Sequence, residues 1–218
     1  MSDLQQQEKH PFLDFAKKNQ KSLTTLLVII VVVLSGYFGF TELYQKPREA
    51  KAADALFSAE KYFAQDSSNL VLNGDGTSKG ALYVIKEFSG TNAANLAKYY
   101  AGISYFRTGD FNKCIDYLND FSTNAKQVQA IAFGTIGDAY SELKKNDEAV
   151  AAYKKAGTHF PEDEGISSEY LFRAAALLEA NGKVDDAIAI YKDIKAKYPK
   201  TEKGFTADKY IYRLKIQP

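Results

Sequence analysis

Few residues of this chain have side chains of the kind that catalysis or metal binding usually needs. The 218 residues include one cysteine, Cys114, and two histidines, His10 and His159, which lie far apart in the sequence. A single thiol excludes an intramolecular disulfide and a cysteine-rich zinc site. Cys114 also stands at a small-residue packing position, so we expect it to be buried and inert. The sequence therefore predicts no enzyme and no catalytic, cofactor-binding or metal-binding residue.

Residues 73–76, Asn-Gly-Asp-Gly, have the glycines and the carboxylate of a calcium loop. An EF-hand loop needs several alternating carboxylates and a closing bidentate glutamate. Here only Asp66 and Asp75 are near, and Glu87 lies too far along the chain. We interpret the segment as a tight glycine-rich turn.

The overall charge is balanced. The chain has 28 Lys and Arg against 27 Asp and Glu, which argues against a globally basic nucleic-acid binder. Apolar residues make up 45% of the chain, enough for a packed core. The composition therefore favours an interaction protein with no nucleic-acid partner.

Residues 22–41 form an uncharged, strongly apolar stretch. A helix of about 20 residues is about 30 Å long, the thickness of the hydrocarbon layer of a bilayer. A buried core helix or a cleaved signal peptide would also be apolar. However, a core helix in so small a domain is rarely apolar on every face, and a signal peptide is shorter and ends in small residues. The aromatic residues Tyr37, Phe38 and Phe40 instead favour a retained membrane anchor.

The charges that flank this stretch predict its orientation. Lys17, Lys18 and Lys21 precede it, whereas both signs of charge follow it. The positive-inside rule then puts the N-terminus in the cytoplasm. We expect a short cytoplasmic head at 1–21, a transmembrane helix at 22–44 that contacts membrane lipid, and a separate domain at 47–218 across the membrane.

The region after Pro47 repeats itself. Gly-x-x-Tyr occurs at Gly102 and again 35 residues later at Gly137, and Asp-x-Ala-hydrophobic occurs at 147–150 and 185–188. Few prolines interrupt the region, which permits long helices. We therefore expect stacked helical hairpins, each of which buries an apolar face only against its neighbours.

The pattern resembles the tetratricopeptide repeat in three units, which start at Asn95, Ala130 and Ser168. The matching positions are Gly102, Tyr105, Gly109 and Cys114; then Gly137, Tyr140, Ala149, Tyr153, Ala156 and Pro161; then Ala175, Leu178, Gly182, Ala187, Tyr191, Ile194 and Pro199. The departures are Lys98 at a large position, Leu178 at the aromatic position, Lys144 at a turn glycine, and a missing proline in the first of these units. The resemblance implies an all-α solenoid in which a small residue of the first helix faces a large residue of the second.

An earlier, degenerate unit is expected at residues 52–64 and 79–88, with an overlong loop at 69–77 between its helices. A last helix at 204–216 is expected to cap the solenoid. Its Tyr210, Tyr212 and Leu214 are predicted to pack, while Lys209, Arg213 and Lys215 face water.

The resemblance also implies a binding surface, because this family binds partners on the concave wall made by its first helices. The corresponding residues that we propose as a partner-binding groove are Leu96, Tyr99, Ile103, Phe106, Asp138, Ser141, Glu169, Phe172 and Glu179. The earliest are apolar and the later ones turn acidic. Such a groove can hold a partner helix or an extended chain, although the chain itself could also fill it.

A short head, one span and a translocated repeat body together resemble the ancillary subunits of the SecYEG translocon (the YfgM type). The residues that carry the resemblance in the head are Phe15 to Lys21. It implies a bacterial inner-membrane protein with a periplasmic body. It further implies association with SecYEG and with a membrane-anchored periplasmic prolyl isomerase or chaperone, and no catalysis.

Two further expectations complete this interpretation. Gly36 and Gly39 form a flat face on the span, where another transmembrane helix could pack closely. A scaffold of a different envelope complex would share every one of these features, so that alternative stays open.

Overall fold

The structure is a computed structural model that describes Phe15 and residues 18–216. The described residues fold into helices joined by short turns, with no strand among them beyond an isolated bridge between Gly74 and Lys79. The chain divides into two compact parts between Ala50 and Lys51. The predicted all-α class is confirmed. Most of the predicted head, residues 1–14, 16 and 17, lies outside the described residues.

The N-terminal part is dominated by one apolar helix. Helix α1 spans Gln20–Phe40, and a π-helical turn at Thr41–Gln45 follows it. No residue of α1 is buried. The helical run that contains α1 is long and apolar enough to cross a membrane, by length and composition.

The C-terminal part, which we call the repeat body, contains ten helices among its described residues. They are α2 (Lys46–Ala64, which begins in the N-terminal part), α3 (Ser68–Asn73), α4 (Ala81–Glu87), α5 (Asn92–Arg107), α6 (Phe111–Asn119), α7 (Lys126–Glu142), α8 (Asn146–His159), α9 (Glu164–Ala180), α10 (Val184–Lys197) and α11 (Glu202–Ile216). Consecutive helices from α5 onward pack as antiparallel pairs: α5 with α6, α7 with α8, and α9 with α10.

The first helix of every pair ends in the same way. The backbone N–H five residues further along donates to the carbonyl of Tyr62, Tyr105, Tyr140 or Leu178, at 2.9–3.0 Å. The residue before that donor has a left-handed backbone, which glycine adopts most easily. Gly109 and Gly182 fill this position in two repeats, but Asp66 and Lys144 fill it in the others, with φ of 54° and 59°. The turn geometry thus defines four repeats, including one that lacks the sequence signature.

The degenerate first repeat differs from its prediction. Val71 follows Tyr62 by nine residues, as Cys114 follows Tyr105, and both are fully buried. The second helix of this repeat therefore begins at Ser68 as α3 and runs into the segment predicted to be loop. A turn at 74–80 interrupts this helix, which resumes as α4. The expected loop at 69–77 is thus wrong in its first half.

Small residues set how closely the helices approach, as predicted. A Cβ added to Gly102 would lie 2.5 Å from Leu118 Cγ, and one added to Gly137 would lie 2.6 Å from Tyr153 Cδ1. These pairs are the small-against-large contacts that the repeat pattern predicts. A third contact was not foreseen: a Cβ on Gly134 would lie 2.1 Å from Tyr170 Cε1, on the next repeat.

The last helix caps the body with one difference. Leu214 is buried and Tyr210 half-buried, as predicted, but the Tyr212 side chain is exposed. Helix α11 packs on α10 through Ala207, Ile211 and Leu214 instead. Tyr212 lies outside that spacing, and its side chain is 70% exposed.

Candidate functional site

The proposed binding residues all lie on the first helices α5, α7 and α9. We call this set the first-helix face: Leu96, Tyr99, Ile103, Phe106, Asp138, Ser141, Glu169, Phe172 and Glu179. Every one of them is half-buried. Their positions along the helices follow from the repeat, since each pair presents the same side of its first helix.

The apolar members border three different core clusters. Leu96 packs on the cluster that holds Leu56 and Val84, whereas Tyr99, Ile103 and Phe106 pack on the one that holds Leu118 and Phe121. The apolar part of the face is therefore partly covered by the chain itself. What remains open is a strip along α5.

Tyr99 is the centre of an aromatic group that the sequence did not indicate. Its ring lies 5.2 Å from Phe121 and 6.4 Å from Phe63, between ring centroids. Phe63 in turn carries the Arg107 guanidinium 4.7 Å above its ring. Burial raises the pKa of the Tyr99 phenol, and the charge of Arg107 opposes that rise. Phe63 lies on α2 and Phe121 lies in the loop after α6. Local sequence spacing does not predict that either segment contacts α5.

Phe172 does not join this aromatic group. Its ring lies 5.5 Å from Tyr191 and 4.9 Å from Tyr210, and the Lys203 ammonium lies 4.8 Å from its centroid. The face thus has two aromatic centres, one on α5 and one between α9 and α11.

The acidic members of the face are paired with cations. Asp138 Oδ1 accepts hydrogen bonds from Tyr153 Oη at 2.7 Å and from Arg173 Nη1 at 2.8 Å. Arg173 also donates to Glu169 at 2.9 Å, and Glu169 lies 3.5 Å from Lys203 Nζ.

Glu179 follows the same rule, since it accepts from Arg213 and from Tyr191. Each of Asp138, Glu169 and Glu179 has a cation partner 34–35 residues further along the chain, one repeat away. A cation one repeat beyond each acidic residue is therefore the sequence feature that could have predicted these ion pairs.

Ionisable groups on and beneath the first-helix face have pKa values that are shifted away from neutral pH. Burial and the nearby charge of Asp138 raise the pKa of Tyr170 to about 12, and the same two causes raise that of Cys114 to about 12. Burial alone would raise the pKa of Glu169, but the hydrogen bond from Arg173 and the charge of Lys203 lower it overall. These groups keep fixed protonation states and hold the helices together.

Ser141, Gly36 and Gly39 are the remaining positions that the sequence analysis singled out. The Ser141 carbonyl accepts from the Lys144 N–H at 3.0 Å, in the turn between α7 and α8. On α1, a Cβ added to Gly36 or Gly39 meets nothing within 4 Å. Both glycines are therefore open to an external neighbour.

The glycine-rich turn at 73–76 has a structural explanation. Asp75 accepts from the backbone N–H groups of Thr77 and Ser78 and from the Tyr62 hydroxyl, and these bonds hold the pKa of its carboxyl well below the usual range. Among the described residues, no group of three or more potential ligands could hold a metal ion.

Family models for the tetratricopeptide repeat match two segments of the chain, residues 130–156 and 169–201. These segments cover most of α7 and most of α8, and most of α9 with all of α10. These two segments of the chain therefore match tetratricopeptide repeats. Proteins with such repeats are typically non-catalytic scaffolds for protein–protein interaction.

Solved structures support the same fold. The chain is similar to the nearly identical TPR-like repeats of a proposed kinesin light chain from Podosopora anserina, with a TM-score of 0.55 and 12% identity over 76% of this chain and 86% of the other. A single-substitution variant of that protein gives the same TM-score and identity, with 85% of its chain covered. A search of curated proteins finds no significant match. At this identity the likeness concerns the fold alone.

Proposed function

We propose that this tetratricopeptide-repeat protein is a membrane-anchored, non-catalytic scaffold. The observation that carries the proposal is the pairing of α1, which is apolar on all sides and unburied, with a repeat body of an interaction family. An unburied apolar helix of this length is costly in water and stable in a bilayer. The scaffold would thus work at a membrane surface.

The proposed topology follows from the lysines before the span. The head at 1–21 is cytoplasmic, the span covers 22–44, and the body at 47–218 is periplasmic, in a bacterial inner membrane. The positive-inside rule supports this orientation, since Lys17, Lys18 and Lys21 precede the span.

The proposed partners are the SecYEG translocon and a membrane-anchored periplasmic prolyl isomerase or chaperone. The support is the resemblance of head, span and repeat body to ancillary translocon subunits. In this role the protein links translocated chains to folding factors. A tetratricopeptide adaptor of another envelope complex is the alternative.

Two surfaces would share the binding. Gly36 and Gly39 have open space beside them, which suits close packing of another transmembrane helix. The strip of the first-helix face around Tyr99, Ile103 and Phe106 would receive a segment of the partner. Two attachments on one chain raise the effective concentration of the second, so neither needs to be tight alone.

Co-purification in mild detergent with quantitative mass spectrometry tests the proposal. We expect recovery of SecYEG and the chaperone to fall when α1 is replaced by an unrelated apolar helix, and to fall further with Tyr99→Ser and Phe106→Ser. The control is Phe57→Ser, because Phe57 is 67% exposed on α2 and lies outside the first-helix face. Circular dichroism of each variant confirms that the body remains folded.

The outcomes separate the two candidate functions. Undiminished recovery of both partners from the folded variants contradicts the two-surface account. Recovery of a different envelope complex, with loss in the same variants, supports the alternative adaptor role.

A further inference from the structure

Helix α11 has fewer neighbours than the first helices α5, α7 and α9. Helix α5 lies between α4 and α6, α7 between α6 and α8, and α9 between α8 and α10. Helix α11 occupies the next first-helix position but packs mainly on α10, with a small contact to α9. In the described structure, no second helix covers its far side.

The uncovered side of α11 is apolar. Phe205, Tyr212 and Ile216 are 85%, 70% and 80% exposed. Their spacing of seven and four residues places them on one stripe of the helix. A terminal repeat normally ends in a polar outer face, which keeps the solenoid soluble. This stripe therefore has the character of an interface.

A groove runs between α10 and α11 beside this stripe. It has a volume of about 390 Å³ and is lined by Lys192, Lys195, Ala196, Asp208, Ile211, Tyr212 and Lys215. The Lys195 ammonium pairs with Asp208 at 2.6 Å and ties the two helices together. The groove borders the side of α11 on which a further second helix would pack.

The lining of the groove has an excess of positive charge, with three lysines against the single carboxylate of Asp208. Residues 192–216 contain eight Lys and Arg against three Asp and Glu, whereas the whole chain has a net charge of only +1. Lys192, Lys209 and Lys215 are exposed and have no ion-pair partner among the described residues. Two copies of this surface would repel each other, so the charge favours a partner of opposite sign.

We propose that this α11 surface is a docking site for an acidic amphipathic helix of another protein. The partner helix lies in the place of the missing second helix. Its apolar side covers Phe205, Tyr212 and Ile216, and its carboxylates face Lys192, Lys209 and Lys215. In helix-in-groove binding of this kind, apolar side chains of the bound helix, spaced three, four and seven residues apart, contact the groove. This site is separate from the first-helix face.

Fluorescence anisotropy with a designed peptide tests the inference on the full chain in detergent micelles. The probe is a stapled helical peptide with leucines on one side and glutamates on the other. A second peptide, with lysine in place of every glutamate, serves as the charge control. We expect the acidic peptide to bind at least about tenfold more tightly than the basic one, with an affinity that falls as salt rises.

Two sets of variants locate the site. Phe205→Ser and Tyr212→Ser should each weaken the acidic peptide by about tenfold, and Lys192→Glu with Lys215→Glu should abolish the preference for it. Since these side chains are exposed, the melting temperature should not change. Phe57→Ser and Lys86→Glu, at exposed positions elsewhere in the body, should bind like the parent.

Several results would overturn the inference. These are no binding of the acidic peptide, equal binding of the two peptides, or binding that the α11 variants leave unchanged. Dimerisation that Tyr212→Ser abolishes would assign the surface to a second copy. Hydrogen-exchange protection of α11 that appears only in nanodiscs containing phosphatidylglycerol, and not in phosphatidylcholine alone, would assign it to an anionic membrane.

Discussion

Helix α1 and the repeat body use glycine in opposite ways. On α1, a side chain added at Gly36 or Gly39 would meet open space. In the body, Gly137 and Gly134 lie against the rings of Tyr153 and Tyr170, where an added Cβ would clash. The first pair of glycines leaves a surface free, whereas the second brings helices together.

The difference shows that apolar content alone does not decide where a helix belongs. The body hides its apolar side chains between neighbouring repeats, and α1 hides none of its own. The stability of the body should therefore depend on contacts between helices. The stability of the body should be indifferent to changes in α1.

The largest expected effect comes from overpacking the body. Gly137→Leu places a bulky side chain against Tyr153 and should lower the free energy of unfolding of the body by about 1–3 kcal/mol. Gly36→Leu should leave the melting temperature of the body unchanged, because nothing lies near that position. Thermal melts of the full chain in detergent measure both.

A second control separates overpacking from the loss of a glycine. Gly165→Ala, near the start of α9, should be tolerated, since its Cβ would meet only the Asp163 carboxylate at 3.5 Å. If Gly137→Leu melted like the parent, the assignment of Gly137 as the small residue of its repeat would fail.

Removing a cation between repeats should have a smaller effect. Arg173→Ala breaks the ion pairs to Asp138 and Glu169 and should cost about 1 kcal/mol at low salt, because partly exposed pairs contribute little each. The cost should shrink as salt rises. Lys46→Ala removes an exposed pair with Glu42 and should leave the melting temperature of the body unchanged. An Arg173→Ala cost that did not depend on salt would contradict the electrostatic explanation.

Relieving the strained turn of the third repeat should stabilise the body slightly. Lys144 has a φ of 59°, at the position where Gly109 and Gly182 stand in neighbouring repeats. Lys144→Gly should raise the free energy of unfolding by about 0.5–1 kcal/mol. A left-handed backbone is costly for a non-glycine residue, and the larger conformational entropy that glycine loses on folding offsets only part of this gain. Lys154→Gly, inside α8, should lower stability instead. Denaturant titration of both variants checks the sign.

The smallest effect concerns pH. The pKa of Glu169 is lowered in the folded state, so its contribution to stability is present above its unfolded pKa of about 4.3 and is lost as pH falls through the lower folded value. The parent should be more stable than Glu169→Gln at neutral pH. That difference in melting temperature should shrink as the pH falls below the unfolded pKa, and it should disappear once the pH is below the lower folded pKa. A difference that stayed constant would show that Glu169 acts through packing.

The sequence predicts the repeats well where local spacing decides the contact. Gly137 against Tyr153 follows from two helices of one hairpin, and its prediction is confirmed. The pairing of Asp138 with Arg173 was missed because it joins neighbouring repeats and depends on how they stack. The first repeat was misplaced because its turn at 74–80 interrupts the second helix, and because Asp66 stands at the turn position that Gly109 and Gly182 fill in other repeats.

The positions of the proposed binding residues in the fold could be predicted in part for the same reason. The helical positions of Tyr99 and Phe172 follow from the repeat, and both residues lie on first helices. Their aromatic partners Phe63, Phe121 and Tyr210 come from other helices and loops. The exposure of Tyr212 was missed because a cap helix is expected to turn every large apolar residue inward.

The central claim is that α1 anchors the repeat body across a membrane, and cysteine accessibility in intact spheroplasts tests it most directly. The background is low, because Cys114 is fully buried and burial raises its thiol pKa to about 12. We predict that an impermeant maleimide labels Lys126→Cys in intact spheroplasts and labels Gln7→Cys only after permeabilisation. Labelling of Gln7→Cys alone in intact spheroplasts, or of neither until permeabilisation, would contradict the account.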